Sequence, residues 1–195
     1  MNPILNKNMF FVKEHVGMFK ASNNYDIYDP ENNRIILISR EPNLGFFTKM
    51  FRFTDYKRMT PFHVVIATPE NRPVLSIRRG VTFFRSDVEV FDENERLLGT
   101  FKQKFFSIGG KFQIYDTNDN LICTLQGKWT SWDFKFMKGD TEIARVSKKW
   151  AGLGKELFTS ADNYMLQIQD TVAPGDSVRP LIMAAVMCID MVLKE

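Results

Sequence analysis

The chain has 195 residues, of which 44% are apolar, and its 26 Lys and Arg against 23 Asp and Glu give a formal net charge of +3. This mild excess lacks the concentrated positive charge of a nucleic-acid-binding tail, so no nucleic-acid partner is expected. Two cysteines, Cys123 and Cys188, are too few for a disulfide framework and favour a reducing compartment, with both thiols buried.

A repeated hairpin pattern dominates the chain before residue 148. Each copy is a β-rich run, a polar turn of Asp, Asn, Gly or Pro, and a second apolar run, which is typical of a β-hairpin. The turns fall near residues 30–33, 69–72, 93–96, 117–120 and 138–141. Thr68, Asp92 and Asp116 occupy equivalent places and are 24 residues apart, a period that indicates a repeated supersecondary unit.

The segment 146–164 departs from the repeat. Its apolar residues have the i, i+3, i+7, i+8 spacing of one face of a short helix, and three lysines are left for the solvent side. The apolar residues are Trp150, Leu153, Leu157 and Phe158, and the lysines are Lys148, Lys149 and Lys155. Such a basic amphipathic element either lies on an anionic surface or closes one end of a barrel with ordinary solvated lysines.

The C-terminal run Leu181 to Leu193 is apolar on every helical face and carries one charge, Asp190. Pro180 suits the first turn of a helix, so we predict a helix over about 179–193. Thirteen residues reach roughly 20 Å, short of the roughly 30 Å hydrocarbon thickness of a bilayer. No true transmembrane span is therefore expected, and the helix should be buried inside the fold.

A closed barrel accounts for both features. Closing a sheet removes its edges, and a closed sheet that is wide enough holds a helix in its interior. We predict a mainly β fold, a closed antiparallel barrel around the buried C-terminal helix, with 1–195 forming one domain.

No catalytic constellation is visible in the sequence. His15 and His63 lie far apart and have no metal-ligand spacing to each other or to either cysteine. Gly109 and Gly110 indicate a tight turn between strands rather than a phosphate-binding loop. We therefore expect a protein that is not an enzyme and that has no cofactor.

A specific motif follows the last hairpin. Ser147-Lys148-Lys149-Trp150-Ala151-Gly152, with the run from Glu156 to Tyr164, closely resembles the phospholipid scramblase family. The likeness extends to the terminal helix with its internal Ile189-Asp190 and back to the region of Gly17 to Ile27.

This resemblance implies the tubby-like fold, a barrel of about twelve strands around a central helix, which is shared with the plant LURP-one-related proteins. It also implies a lipid-interacting protein that moves phospholipids between membrane leaflets. The alternative is a soluble intracellular binding or scaffold barrel without transport activity, whose partner is a phosphoinositide or another protein.

The sequence departs from the animal scramblases in its mode of membrane attachment. The stretch from Arg78 to Arg85 has no cysteine where that family carries a palmitoylated cluster, so acylation is not expected. Contact with anionic phospholipid headgroups should be peripheral and electrostatic. The candidate lipid-binding residues are Lys148, Lys149, Lys155, Arg78, Arg79 and Arg85. Since the N-terminus lacks the pattern of a signal peptide, the expected location is cytoplasmic, at the inner membrane face.

The family's proposed calcium segment maps onto residues from Ser160 onward. Its candidate ligands here are Asp162, Asn163 and Asp170, which offer only two carboxylates, whereas calcium takes six to eight oxygen ligands. Tyr164, Leu166 and Ile168 alternate as in a strand, which does not wrap an ion. We expect calcium binding to be weak or absent.

Overall fold

The structure, a computed structural model, describes residues 1–14, 24–42, 61–80, 87–103, 112–128, 132–148 and 163–193. These residues form a short 3-10 helix at Pro3–Asn6, twelve strands and one α-helix, α1, at Val178–Leu193. The strands are β1 Met9–Glu14, β2 Tyr25–Asp29, β3 Arg34–Arg40, β4 Phe62–Ala67, β5 Pro73–Arg79, β6 Asp87–Asp92, β7 Leu97–Gln103, β8 Phe112–Tyr115, β9 Leu121–Lys128, β10 Asp133–Lys138, β11 Thr141–Ser147 and β12 Asn163–Ile168.

All twelve strands join in one closed antiparallel barrel. Each strand pairs with its neighbours in sequence, and β1 closes the ring by pairing with β12 on one side and β2 on the other. Val12 of β1 lies opposite both Tyr164 of β12 and Ile27 of β2, which fixes the register at the closure. The predicted mainly β barrel of about twelve strands is confirmed.

The two ends of the barrel differ because the strands alternate in direction. One end, which we call the turn end, carries the five tight hairpin turns and the segment 169–177 that leads into α1. At the other end, the loop end, the strands are joined by segments 15–23, 43–60, 81–86, 104–111, 129–131 and 149–162, which lie outside the described residues.

Three of the tight turns are copies of one another, as the 24-residue spacing predicts. In each, the first residue and the residue four positions later are joined by a backbone hydrogen bond, for example from the Asp92 N–H to the Arg96 carbonyl at 2.9 Å. The fourth residue has a positive φ of about 60° in every copy: Asn71, Glu95 and Asp119. A strand irregularity precedes each turn, between residues 66 and 67, 90 and 91, and 114 and 115.

Helix α1 fills the interior of the barrel. Its described side chains from Val178 to Ile189 are all buried, and Leu181, Ile182, Ala184 and Met187 are completely so. The Asp176 carboxylate accepts a hydrogen bond from the Val178 N–H at 2.9 Å at the start of the helix. The predicted buried terminal helix is confirmed. None of the helices in the described part of the chain is long and apolar enough to cross a bilayer.

A buried arginine, Arg179, connects the start of α1 to the turn end by hydrogen bonds. Arg179 is 1% exposed, and burial is the main cause that lowers its pKa. Its guanidinium donates hydrogen bonds to a ring of acceptors, namely the carbonyls of Leu5, Lys7, Val172 and Ala173 and the side chain of Asn8. These bonds join the N-terminal segment, the segment before the helix and the helix itself.

Candidate lipid-binding surface at the loop end

Three of the six predicted lipid-binding residues lie in the described part of the chain: Lys148, Arg78 and Arg79. Lys149, Lys155 and Arg85 lie outside the described residues, and so does the predicted amphipathic helix around 150–158. Lys148 follows β11 and Arg79 ends β5, so the two belong to strand ends on different parts of the same barrel rim.

Lys148 belongs to an aromatic cluster that comprises Trp132, Phe134 and Tyr164. Its ammonium lies 4.0 Å from the centre of the Trp132 ring, and its backbone N–H donates to the Trp132 carbonyl at 3.2 Å. Trp132 stacks on Tyr164 with ring centres 5.9 Å apart at 26°, and it meets the edge of Phe134 at 6.0 Å and 88°. The lysine therefore presents a cation beside partly exposed indole surface at the loop end.

The backbone of Trp132 is unusual. Its φ is +47°, in the left-handed region that bulky side chains rarely adopt. Such conformations cost on the order of 1–3 kcal/mol and persist where the surrounding structure holds them. The register places Trp132 just before Asp133, which pairs with Ser147, so the strained residue lies next to Lys148 across the end of the β10–β11 hairpin.

Arg78 and Arg79 point to opposite faces of the barrel wall, because side chains alternate along a strand. Arg79 is 5% exposed, and its guanidinium lies 4.6 Å from the centre of the Phe62 ring. Arg78 lies on the outer wall, 4.9 Å from the centre of the Phe91 ring and 2.5 Å from the Glu95 carboxylate. The two residues therefore do not form one exposed basic cluster, and their role in lipid binding stays a prediction.

The surroundings of Arg78 are repeated 24 residues later. Lys102 lies 4.6 Å from the centre of the Tyr115 ring and forms an ion pair with Asp119. Each basic residue thus contacts an aromatic ring and the positive-φ acidic residue of a turn. Neither site was predicted from the sequence, although the 24-residue period relates Arg78 to Lys102.

Formal charge is distributed very unevenly between the two ends. The turn-end stretches 29–34, 68–72, 92–96, 116–120, 138–142 and 169–177 contain twelve acidic and four basic residues. The segments that join the strands at the loop end contain ten basic residues and three acidic ones. The basic residues are Lys20, Lys49, Arg52, Lys57, Arg58, Arg85, Lys104, Lys111, Lys149 and Lys155. The barrel therefore has an acidic turn end and a loop end whose connecting segments are basic.

The candidate calcium ligands are separated by β12. Asn163 begins this strand at the loop end, whereas Asp170 lies beyond its other end and accepts a hydrogen bond from the Asn8 amide at 2.6 Å. A six-residue strand is roughly 16 Å long, too far for both residues to bind one ion. Asp162 lies outside the described residues, which contain no group of three His, Cys, Asp or Glu able to hold a metal. The predicted strand is confirmed; weak or absent calcium binding stays a prediction.

Three nucleophilic side chains, those of Ser76, Cys123 and Cys188, are buried. The Ser76 hydroxyl is within 2.9 Å of His63 Nε2 on the barrel wall, but Ser76 is only 6% exposed. Burial, with the nearby Arg78, lowers the pKa of His63. Burial raises the pKa of the Cys123 thiol to about 12 and also raises that of Cys188, as expected for buried thiols.

The sequence of the chain matches the model of a known protein family. A family model described as Scramblase matches residues 4–195. The chain belongs to the scramblase family. A scramblase-family role implies interaction with lipid, and the resemblance predicted from the motif at Ser147–Gly152 is confirmed.

The fold of this scramblase-family chain has a solved counterpart. It is similar to the X-ray structure of a protein from Arabidopsis thaliana, with a TM-score of 0.57 and 16% sequence identity over 98% of this chain and 96% of that one. At this identity the likeness shows the fold alone. No curated protein matches the chain.

Proposed function

We propose that this scramblase-family protein is a peripheral lipid-binding barrel that contacts anionic phospholipid headgroups with its loop end. The observation that carries the proposal is the charge difference between the ends, ten basic against three acidic residues in the loop-end segments and four basic against twelve acidic residues in the turn-end stretches. Near an anionic membrane each basic residue contributes about 1 kcal/mol, and the effect falls off within a Debye length. An orientation with the loop end toward the membrane is therefore favoured.

The aromatic cluster supports the same orientation. Trp and Tyr are enriched at membrane–water interfaces, because their rings have apolar bodies and polar tips. Trp132 is half-buried at the loop end and has the Lys148 ammonium beside it, which combines the two kinds of group that favour an anionic interface. We include Lys149 and Lys155 in the proposed lipid-binding surface because they follow Lys148 closely in the sequence.

Binding, rather than transport through the barrel, is the function that the geometry supports best. Movement of a lipid through the interior requires a polar path for the headgroup, but α1 fills that space with side chains such as Leu181, Met183 and Met187 that are at most 1% exposed. Any exchange of lipid between leaflets would thus take place outside the barrel. A cytoplasmic location at the inner membrane face is part of the proposal, consistent with two free, buried cysteines.

Co-sedimentation with vesicles tests the proposal. Vesicles of phosphatidylglycerol and phosphatidylethanolamine, which carry no choline, should bind the protein at low salt and release it as salt is raised. Replacement of Lys148, Lys149 and Lys155 by glutamine should weaken binding by at least tenfold, because about 1 kcal/mol is lost per residue. The melting temperature should change little.

The turn end offers a matched control. Replacement of Arg34, Arg72 and Arg96, three exposed turn-end residues, by glutamine changes the net charge by the same amount. This control variant should bind vesicles like the unmodified protein. Equal weakening by the two triple variants, or binding that salt does not affect, would contradict the proposal and favour a scaffold role with a protein partner.

A further inference from the structure

We infer that the cluster of Trp132, Tyr164 and Lys148 is a binding site for a phosphocholine headgroup, with the trimethylammonium group over the Trp132 ring and the phosphate bound by Lys148. This inference rests on the proposed function for the orientation of the loop end, and it adds a zwitterionic headgroup, phosphocholine, to the anionic headgroups proposed there. It rests on three features of described residues: an aromatic surface, a cation that already occupies that surface, and a strained backbone at the tryptophan.

The aromatic surface has the composition of a quaternary-ammonium site. Trp is the side chain whose ring attracts cations most strongly, and ring clusters that bind choline and methylated lysine use this attraction. Tyr164 stacks on Trp132 at 5.9 Å, while Phe134 packs edge-on at 6.0 Å and 88°. Tyr164 is 2% exposed and Phe134 is fully buried, so both rings hold the indole in place.

The surface already binds a cation. The Lys148 ammonium, 4.0 Å from the centre of the Trp132 ring, occupies the position that a ligand ammonium would take. A lysine side chain has a flexible four-carbon stem, so its ammonium is able to leave the ring without a change in the backbone. On binding, the trimethylammonium group would replace it over the indole, and the freed ammonium would pair with the phosphate of the same headgroup.

The backbone of Trp132 distinguishes this cluster from an ordinary surface contact. Trp132 has a backbone φ of +47°, and residues in such conformations concentrate at ligand-binding sites. Lys102 also lies over an aromatic ring, that of Tyr115, but Tyr115 ends β8 without a positive φ. Among the described cation–ring pairs, the Lys148 pair alone combines a stacked ring with a left-handed backbone.

Indole N–H signals of the ¹⁵N-labelled full chain test the inference without vesicles. The chain has three tryptophans, so Trp132→Leu assigns the Trp132 signal by its loss. Phosphocholine should shift this signal saturably, and phosphoethanolamine should shift it less at the same concentration. Tetramethylammonium chloride should also shift it, whereas sodium chloride at equal ionic strength should not.

A lysine variant gives the decisive result, because we expect it to increase the affinity for tetramethylammonium, whereas a variant that only damaged the site would decrease it. Lys148→Ala removes the resident cation, so tetramethylammonium should bind about two- to fivefold more tightly at the Trp132 ring. Lys102→Ala, the matched change beside Tyr115, should leave the Trp132 titration unchanged. An unchanged or weaker tetramethylammonium titration in Lys148→Ala, or equal shifts with phosphoethanolamine, would overturn the inference.

The outcomes also separate this inference from the proposed function. The choline-free anionic vesicles report binding by charge, and the soluble headgroups report occupation of the indole ring. Loss of vesicle binding in the lysine variants without any response to tetramethylammonium would leave the proposed function intact and refute the phosphocholine site. A response to tetramethylammonium with no vesicle binding would refute the proposed function alone.

Discussion

Gly99 is a residue at which the backbone of the barrel wall lies very close to a neighbouring strand and to α1. A methyl group at this position would overlap the Tyr115 carbonyl oxygen and would approach the Leu181 side chain of α1 to 3.1 Å. The backbone oxygen belongs to the paired strand β8 and moves only if the strand moves. Glycine is thus required here by space, since Gly99 has no positive φ.

Gly99→Ala should therefore destabilise the protein, because overpacking a tight interior contact costs about 1–3 kcal/mol. The measurement is the urea midpoint, followed by circular dichroism. Gly80→Ala is the matched control, since a methyl group there meets no atom within 4 Å and Gly80 is exposed. Its free energy of unfolding should change by no more than about 0.5 kcal/mol. Equal effects of the two substitutions would show that the close approach at Gly99 is not a constraint.

Individual residues also show what sequence reasoning missed. Strand alternation is enough to place Arg78 and Arg79 on opposite faces, yet both were predicted to be lipid-binding residues. The partners of Arg179 are not predictable in this way, because Leu5 and Lys7 lie 174 and 172 residues away in sequence. The left-handed backbone of Trp132 has no sequence signal, since tryptophan seldom adopts it.

At the scale of elements, the hairpins and the terminal helix were predictable from local chemistry. Turns such as 92–96 and 116–120 depend on aspartate side chains that accept backbone N–H bonds, for example Asp116 from Asn118 at 2.9 Å and from Asn120 at 2.8 Å. Hydrogen bonds from Asn120, first from its side chain, lower the pKa of Asp116. Helix α1 was predictable because an apolar surface on all sides has to be covered. The segment between Lys148 and Asn163 lies outside the described residues, so its predicted helix stays a prediction.

The helix should be the main source of stability for the barrel. Met187 is completely buried, and replacement of a buried methionine by alanine typically costs 2–5 kcal/mol, so Met187→Ala should lower the free energy of unfolding by about that amount. Leu121→Ala is the control, because Leu121 is 52% exposed and its truncation leaves no cavity. Urea titration of both variants checks this. A loss below about 1 kcal/mol in Met187→Ala would contradict the packing of α1 in the barrel.

At the scale of the whole molecule, the alternating direction of the strands gives the two ends of the barrel opposite formal charge. Because antiparallel strands alternate, the five tight hairpin turns lie at one end and the other connections between strands lie at the opposite end. The acidic turn residues and the basic connecting segments are interspersed along the chain, and the barrel separates them. No single motif shows this separation, so the sequence predicted six individual lipid-binding residues and not one whole end of the barrel.

Quenching of attached fluorophores by labelled lipid tests the orientation at the membrane most directly. Gly80→Cys places a thiol at the loop end, and Asn118→Cys places one at the turn end, both at exposed positions. Cys123 and Cys188 are buried with raised pKa values, so a thiol-reactive dye should label the introduced cysteine selectively. On anionic vesicles that carry a headgroup-attached quencher, the Gly80→Cys label should be quenched strongly and the Asn118→Cys label hardly at all. Equal quenching of the two labels, or stronger quenching at the turn end, would contradict the claim that this barrel meets the membrane with its loop end.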